Sequence, residues 1–339
     1  MLTVEERKKL EEEDLYDIKE LFNAEVDSWF SADIACCDNC VDDFLKSWPF
    51  AYDAEGKQFQ LNQIDLDSFF VGTRLSQVYS EEDFFRFVRL VSCPRCGLEL
   101  TSNFIPYSFP FEPVDDFENI IEEIALLSKN SPFLLLKHSF AVQVFNAIKE
   151  LSEEVPSLLL STSLYRARVA SQIEIVKKNE FDITPRKFAG EGRYNHSGLP
   201  AFYLGSDLDT CYQELRCTDS YIAELKLEKK IKILDLTATY ENHQKHSDLL
   251  DTLVYSALIS AKRDEDNAFK PQYIFSRFVA DCAKFVGFDA IKYPSTRTHE
   301  SSFNIVLLNN EFSLGNNISI NKVFLYKGKN RVREVEICT

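Results

Sequence analysis

Apolar positions recur at helical spacing through much of the first half of the chain and give way, in the second, to short β-like runs separated by Gly, Asn and Pro. Residues Thr3 to Phe22 mix acidic, basic and apolar positions in the manner of a solvated amphipathic helix. SEEDFFRFVRLV (80–91) predicts another helix, with Ser80 and Asp83 placed as an N-terminal cap. DDFENIIEEIALLSKN (115–130) and PFLLLKHSFAVQVFNAIKELSEEV (132–155) predict two helices with wide apolar faces.

From SLYRARVA (163–170) onward the runs read as strands: Ala201 to Leu204, YIAELKL (221–227), IKILDLT (231–237), DAIKYP (289–294) and SSFNIVLL (301–308). A helix is expected to open near Asp209 or Thr210, and another over YIFSRFVADCAKFVGF (273–288), closed by Gly287. The change of texture places a boundary between Val155 and Thr162. The expected fold class is therefore α+β, with a mainly α-helical domain over residues 1–155 and a mixed α/β domain over 156–339.

The chain has 339 residues, 45% of them hydrophobic and 27% charged, which suits two domains that each bury a core. Its formal net charge of −16 argues against broad nucleic-acid binding, which depends on Lys and Arg displacing counterions from phosphate. Any phosphate-bearing ligand must be met by local positive charge. No apolar run approaches membrane-helix length, and the charged start MLTVEERKKLEEEDL is unlike a signal peptide, so a cytoplasmic protein is expected.

Nine cysteines without an export signal point to reduced thiols and metal ligands. Cys37 and Cys40 form one C-x2-C pair, Cys93 and Cys96 another, and Gly97 follows as in a zinc knuckle. Four thiolates match the tetrahedral demand of a structural Zn²⁺ with no open position. Cys36 offers a looser alternative to Cys37, which is preferred for its spacing. Cys211, Cys217, Cys282 and Cys338 lack metal spacing and read as core or surface thiols.

The stretch GRYNHSGLPAFYLGSDLDTCYQELR (192–216) sets Arg, Asn, Tyr and Glu into a mostly apolar frame. An arginine fork can grip a pyrophosphate through charge-assisted hydrogen bonds, and an aromatic ring can stack on a flat cationic base. A carboxylate can stabilise an oxocarbenium-like transition state. The residues alone support a pocket for an anionic nucleotide, and no Rossmann or Walker sequence is present.

Together with LYRAR (164–168) and GFDAIKYPS (287–295) followed by FNIVLL, this stretch resembles the three blocks of the RES domain, from about Leu164 to Leu308. The helix-rich first half resembles, more weakly, the HEPN/RES-type N-terminal domain that accompanies some RES proteins. The resemblance implies a fold similar to diphtheria-toxin-like ADP-ribosyltransferases and NAD⁺ as substrate. It implies cleavage of the nicotinamide–ribose bond, by hydrolysis or phosphorolysis, in a toxin or anti-phage defence effector restrained by an inhibitor or set off by an activator protein. Transfer of ADP-ribose to a protein, or silent sensing of NAD⁺ or ADP-ribose, are the alternatives.

Carried over residue by residue, Arg166, Tyr203 and Glu214 match the family's catalytic Arg, Tyr and Glu. Ser295 matches its Ser, while Arg193, Tyr194 and Asn195 match the Arg-aromatic-Asn turn. Arg168 lies at strand spacing from Arg166, so either could be the ligand. His196 stands where the family usually has Pro, a departure expected to loosen the loop.

Overall fold

The computed structural model describes residues 2–42, 44, 63–107, 114, 117–237, 239–259, 273–295, 302–309, 311–328 and 331–337. Cys338, noted above as a thiol without metal spacing, lies outside them. Two compact units are present: residues 1–112 with 255–272, and residues 113–254 with 273–339.

The first unit begins with α1 (Val4–Glu13) and α2 (Ile18–Phe30) in place of one helix over Thr3–Phe22. Aspartates cause the break. Asp14 and Asp17 accept hydrogen bonds from the Ile18 and Glu20 amides, and Asp17 takes a left-handed conformation with φ 52°. Strand β1 (Asp33–Cys37) pairs antiparallel with β2 (Phe104–Tyr107), and α3 (Leu66–Gly72), α4 (Leu75–Val78) and α5 (Glu81–Phe87) also belong to this unit. Ser80 caps α5 as expected, its Oγ accepting the Asp83 amide. Phe22, Phe69 and Phe104 hold the core together, with ring centroids 4.9 to 5.3 Å apart.

The second unit carries α6 (Phe117–Asn130) and α7 (Ser139–Glu154). The expected helix over 132–155 is split, because Pro132–Lys137 forms a 3-10 turn and His138 caps α7 through Nδ1. α7 buries Phe140, Ala141, Val144, Ala147, Ile148 and Leu151 inside this unit and packs on α11 (Ile274–Phe285). That burial places the division between units at Glu112/Pro113, upstream of the expected boundary near residue 155.

An eight-stranded sheet organises the rest, in the order β10-β9-β5-β3-β4-β8-β7-β6. Its strands are β3 (Leu164–Val169), β4 (Phe202–Gly205), β5 (Ser220–Leu227), β6 (Ile233–Asp235), β7 (Ala290–Pro294), β8 (Phe303–Leu307), β9 (Ile318–Lys327) and β10 (Arg331–Val335). All pairs are antiparallel except β6 with β7. A parallel pair needs a crossover, and α9 (Thr239–Asn242), α10 (Ser247–Ile259) and α11 lie between those two strands in the chain. The short α8 (Leu208–Glu214) follows β4 and starts from Asp207, slightly earlier than expected.

One irregularity shapes the sheet. β3 runs against β5 from Leu164↔Leu225 to Val169↔Ser220, and β4 against β8 from Phe202↔Leu307 to Gly205↔Asn304, yet β3 and β4 share only Tyr165↔Gly205. The sheet therefore opens between them. At the one shared position α8 comes close: a Cβ on Gly205 would lie 2.9 Å from Cys211 Sγ, and that sulfur donates to the Tyr165 carbonyl at 3.3 Å. Gly205→Ala is accordingly expected to lower the urea-denaturation stability by about 1–3 kcal/mol through overpacking. Adding Cys211→Ala should recover part of that loss, and a purely additive double variant would refute the steric cause.

Candidate functional site

The opening between β3 and β4 leads into a cavity of about 380 Å³ lined by Arg166, Arg168, Asn195, Tyr203, Glu214 and Tyr293, among others. β3 supplies the two arginines. Strand spacing puts them on one face, and both reach the loop over residues 180–182. Arg166 Nη1 donates to the Tyr203 carbonyl (3.0 Å) and Nη2 to the Asp182 carbonyl (3.1 Å), while Arg168 donates to the carbonyls of Glu180 (2.9 Å) and Asp182 (3.0 Å). The Arg166 guanidinium also lies 4.2 Å from the centre of the Phe202 ring.

Arg166 is 4% exposed, and burial, with Arg168 beside it, lowers its pKa well below the ordinary value. Its Nη donors serve the protein's own main chain. Arg166 Nε has no hydrogen-bond partner among the described residues, and both arginines bring positive charge to the cavity wall.

Tyr203 reaches the opposite wall. Its hydroxyl accepts the Tyr194 amide at 3.0 Å and donates to Asn195 Oδ1 at 2.8 Å, and Asn195 Nδ2 in turn holds the carbonyls of Gly190 and His196. The turn needs glycine at 192, where a Cβ would fall 2.3 Å from Asn195 Oδ1 and 2.8 Å from the Tyr203 hydroxyl. Burial raises the pKa of Tyr203, so the phenol stays protonated and available to donate.

His196 does not loosen this loop. Its Nε2 lies 2.8 Å from Asp281 Oδ2 on α11, and Glu191 pairs with the buried Arg277 on the same helix. Two side-chain contacts therefore fasten the turn.

Glu214 ends α8. The helix is fixed at its start by Asp207, which accepts from the Thr210 amide (2.7 Å), the Thr210 hydroxyl (2.7 Å) and Ser206 (2.6 Å). Burial works against the Asp207 charge, but these bonds outweigh it and lower its pKa. After Glu214 the chain turns through two consecutive left-handed residues, Arg216 (φ 55°) and Cys217 (φ 56°), a strained stop for non-glycine residues. Glu214 Oε1 accepts from Ser295 Oγ at 3.2 Å and from Asn304 Nδ2 at 2.8 Å. The carboxylate stays exposed at the cavity rim, while Ser295 and Asn304 are buried.

Arg193, Tyr194 and Ser295 sit behind the lining. Tyr194 is buried against Tyr293 with ring centroids 4.7 Å apart, and burial pushes its phenol up to about 12. The Arg193 guanidinium lies 5.6 Å from the centre of the Tyr293 ring. Burial opposes its charge, but Tyr194, Tyr293, Tyr273 and Glu214 outweigh that and raise its pKa. Ser295 meets the cavity's Glu214 through its hydroxyl.

Two residues escaped the sequence reading. Tyr293 and Asn304 face each other across β7 and β8, and both line the cavity. A single Asn within the apolar run FNIVLL was the available signal, since a polar residue there needs a partner.

In the first unit, the sulfurs of Cys37, Cys40, Cys93 and Cys96 lie within 4.8 Å of one another. Cys37 to Cys96 is 3.5 Å and Cys40 to Cys93 is 3.6 Å. A tetrahedral ion with thiolates at about 2.3 Å sets its sulfurs about 3.8 Å apart, so the four residues fit a metal centre with no open position. Hydrogen bonds from Cys40, then Cys93 and Cys96, lower the Cys37 pKa. Cys36 is not among the four: β1 shifts register between Ile34 and Cys36, and Cys37, not Cys36, joins the group. Gly97, at φ 70°, lets the Cys93–Cys96 turn close, with its amide on the Cys93 carbonyl.

Residues 163–321 match the family model described as "RES domain", the family that the three sequence blocks resemble. Every residue lining the cavity lies inside this range. Over 155 residues the chain is 28% identical to the "Putative toxin YopC" of Bacillus subtilis (strain 168), a match that covers 38% of this chain and 35% of that protein. The chain thus spans about a third of the length of that curated relative. A chain of the crystal structure of the M. tuberculosis MbcT-MbcA toxin-antitoxin complex aligns over 53% of this chain and 92% of its own, at 13% identity and a TM-score of 0.33. Among the described residues, no helix is long and apolar enough to cross a membrane.

The Tyr203 hydroxyl can be tested directly. Tyr203→Phe leaves the Tyr194 amide without its acceptor and should cost about 1–3 kcal/mol of stability. Amide exchange at residues 190–196 should accelerate more than elsewhere in the unit, and uniform acceleration would show that the bond does not hold the turn.

Proposed function

We propose that the RES-like segment binds NAD⁺ in the cavity between β3 and β4 and cleaves its nicotinamide–ribose bond. The observation that carries this reading is Glu214, an exposed carboxylate at the cavity rim that accepts bonds from two buried donors, Ser295 and Asn304, on different segments. A carboxylate held in that way is ready to stabilise positive charge developing on a ribose. Its orientation is fixed before substrate arrives.

In the proposed step the C–N bond electrons leave with neutral nicotinamide, the ribose carbon gains oxocarbenium character beside Glu214, and the oxygen of water or phosphate adds to that carbon, an added water or acidic phosphate giving up its proton to solvent. Tyr293 and Tyr203 supply ring surface for the flat cationic base. Arg166 and Arg168 serve as positioning residues, and their charge offers positive potential for the pyrophosphate in an otherwise acidic protein. Degradation of NAD⁺, by hydrolysis or by phosphorolysis, would arrest a cell. That outcome accords with the toxin in the name of the B. subtilis relative and implies an inhibitor or activator protein as partner.

Purified chain incubated with NAD⁺, with and without inorganic phosphate, should release nicotinamide, followed by NMR. Glu214→Gln should slow release about 10²- to 10³-fold, and phosphate dependence would separate the two reactions. Wild-type rates in Glu214→Gln would remove the carboxylate from the mechanism.

We further propose that the four-cysteine cluster holds one structural Zn²⁺. Metal analysis should find close to one zinc per chain, and Cys93→Ser with Cys96→Ser should lose it and destabilise the first unit. A folded, metal-free wild-type chain would overturn the assignment.

A further inference from the structure

The loop over residues 180–190 brings one more aromatic ring to the cavity. It runs from Asp182, whose carbonyl accepts from both Arg166 and Arg168, through the 3-10 turn Arg186–Phe188, to Ala189 and Gly190. Both ends are tied. The Ala189 carbonyl accepts the Gly198 amide at 2.8 Å, and the Gly190 carbonyl accepts Asn195 Nδ2 at 2.9 Å. Within the turn, the Phe188 amide donates to the Pro185 carbonyl at 2.8 Å, and the Phe188 side chain lines the cavity.

Phe188 differs from the other lining aromatics in exposure. Tyr293 is 7% exposed and Tyr203 is half-buried, whereas Phe188 is 69% exposed. A single exposed Phe is ordinary on a protein surface. This one belongs to a cavity wall and sits on a fastened turn, with Lys187 Nζ 4.7 Å from its ring centre and Arg186 exposed beside it. An open ring next to two cations suits an aromatic base that carries phosphate.

Size then separates the two ends of a dinucleotide. A cavity of about 380 Å³ lies near the lower end of the range of about 300–1,000 Å³ that encloses a drug-sized ligand, and NAD⁺ is larger than such a ligand. On the reading proposed above, the nicotinamide ring takes the buried Tyr293 side and the bond to be broken lies at Glu214 on the rim. The ADP part must therefore run outward over the mouth, where the exposed ring is Phe188.

We propose that Phe188 is the stacking platform for the adenine base, with Lys187 over one face of the ring and adenine on the other. Arg186 and Lys187 add positive potential for the neighbouring phosphates. Phe188 is then a specificity residue, favouring substrates with a base at the far end over nicotinamide mononucleotide. Naming adenine as the base rests on the reading that the cavity takes NAD⁺.

The test titrates the full chain with ADP-ribose, which carries the base but no bond to nicotinamide. NOEs are expected from adenine H2 and H8 to the Phe188 ring. Phe188→Ala should weaken ADP-ribose at least about fivefold through loss of base–aromatic stacking, while Phe188→Trp should stay within a few-fold of wild type. Ribose 5-phosphate, which has no base, should bind wild type and Phe188→Ala alike. In the release assay Phe188→Ala should raise KM for NAD⁺ by a similar factor and leave kcat within about twofold, because stacking is lost equally from ground and transition states. Equal ADP-ribose affinity in Phe188→Ala, absence of the adenine NOEs, or no binding of ADP-ribose at millimolar concentration would overturn the proposal. Binding of ADP-ribose that depends on Phe188, without release of nicotinamide from NAD⁺, would sink the cleavage reading and leave the platform standing. Release with an unchanged KM in Phe188→Ala would do the reverse.

Discussion

An arginine side chain stands in for a missing stretch of β ladder, and the cavity exists because of it. Where β3 and β4 part after a single paired position, the Tyr203 carbonyl would face the gap without a partner, and a buried carbonyl cannot be left so cheaply. Arg166 supplies the donor from across the opening and, through Asp182, ties in the loop that Arg168 also holds. A cleft is opened in a continuous sheet without leaving the carbonyls that Arg166 meets unbonded. The substitution of a guanidinium for a backbone amide also brings positive charge to the back of a cavity in an acidic chain.

Everything proposed for the site is arranged around that opening. Tyr203 sits on the strand that Arg166 braces, and its hydroxyl pins the glycine-bearing turn on which Asn195 lies. Asp207 and the left-handed pair Arg216 and Cys217 mark the two ends of the short helix that presents Glu214. The carboxylate is then aimed by Ser295 and Asn304 from β7's end and β8. Rigid main-chain elements carry each group, which is what an electrostatic site needs if its dipoles are to be set before reaction.

Much of this was legible residue by residue. The blocks LYRAR, GRYNHSGLPAFYLGSDLDTCYQELR and GFDAIKYPS named the segments that surround the cavity, and the C-x2-C spacing named the four sulfurs that meet. Periodicity also placed β3, β4, β5, β7 and β8 close to their observed limits. It failed where side chains compete with the backbone: Asp14 and Asp17 stop α1, and His138 starts α7 only after the 3-10 segment Pro132–Lys137. The hairpin of β9 and β10 was not foreseen, because its alternation is interrupted by exposed Asn321 and Lys322.

The sequence by itself determined which residue types reach the site, since motif and strand parity are local properties of the chain. What each of them does there was decided only in three dimensions. Arg166 also bonds the main chain of β4 and of the loop at Asp182, a contact that only the divergence of β3 and β4 makes possible. His196 looked like a loosened turn and proved to be an anchor, because Asp281 lies far away in sequence. Asn304, unremarked in its apolar run, holds Glu214. Hydrogen bonds between distant segments depend on the register of strands and the packing of helices, and no local pattern of residues encodes them.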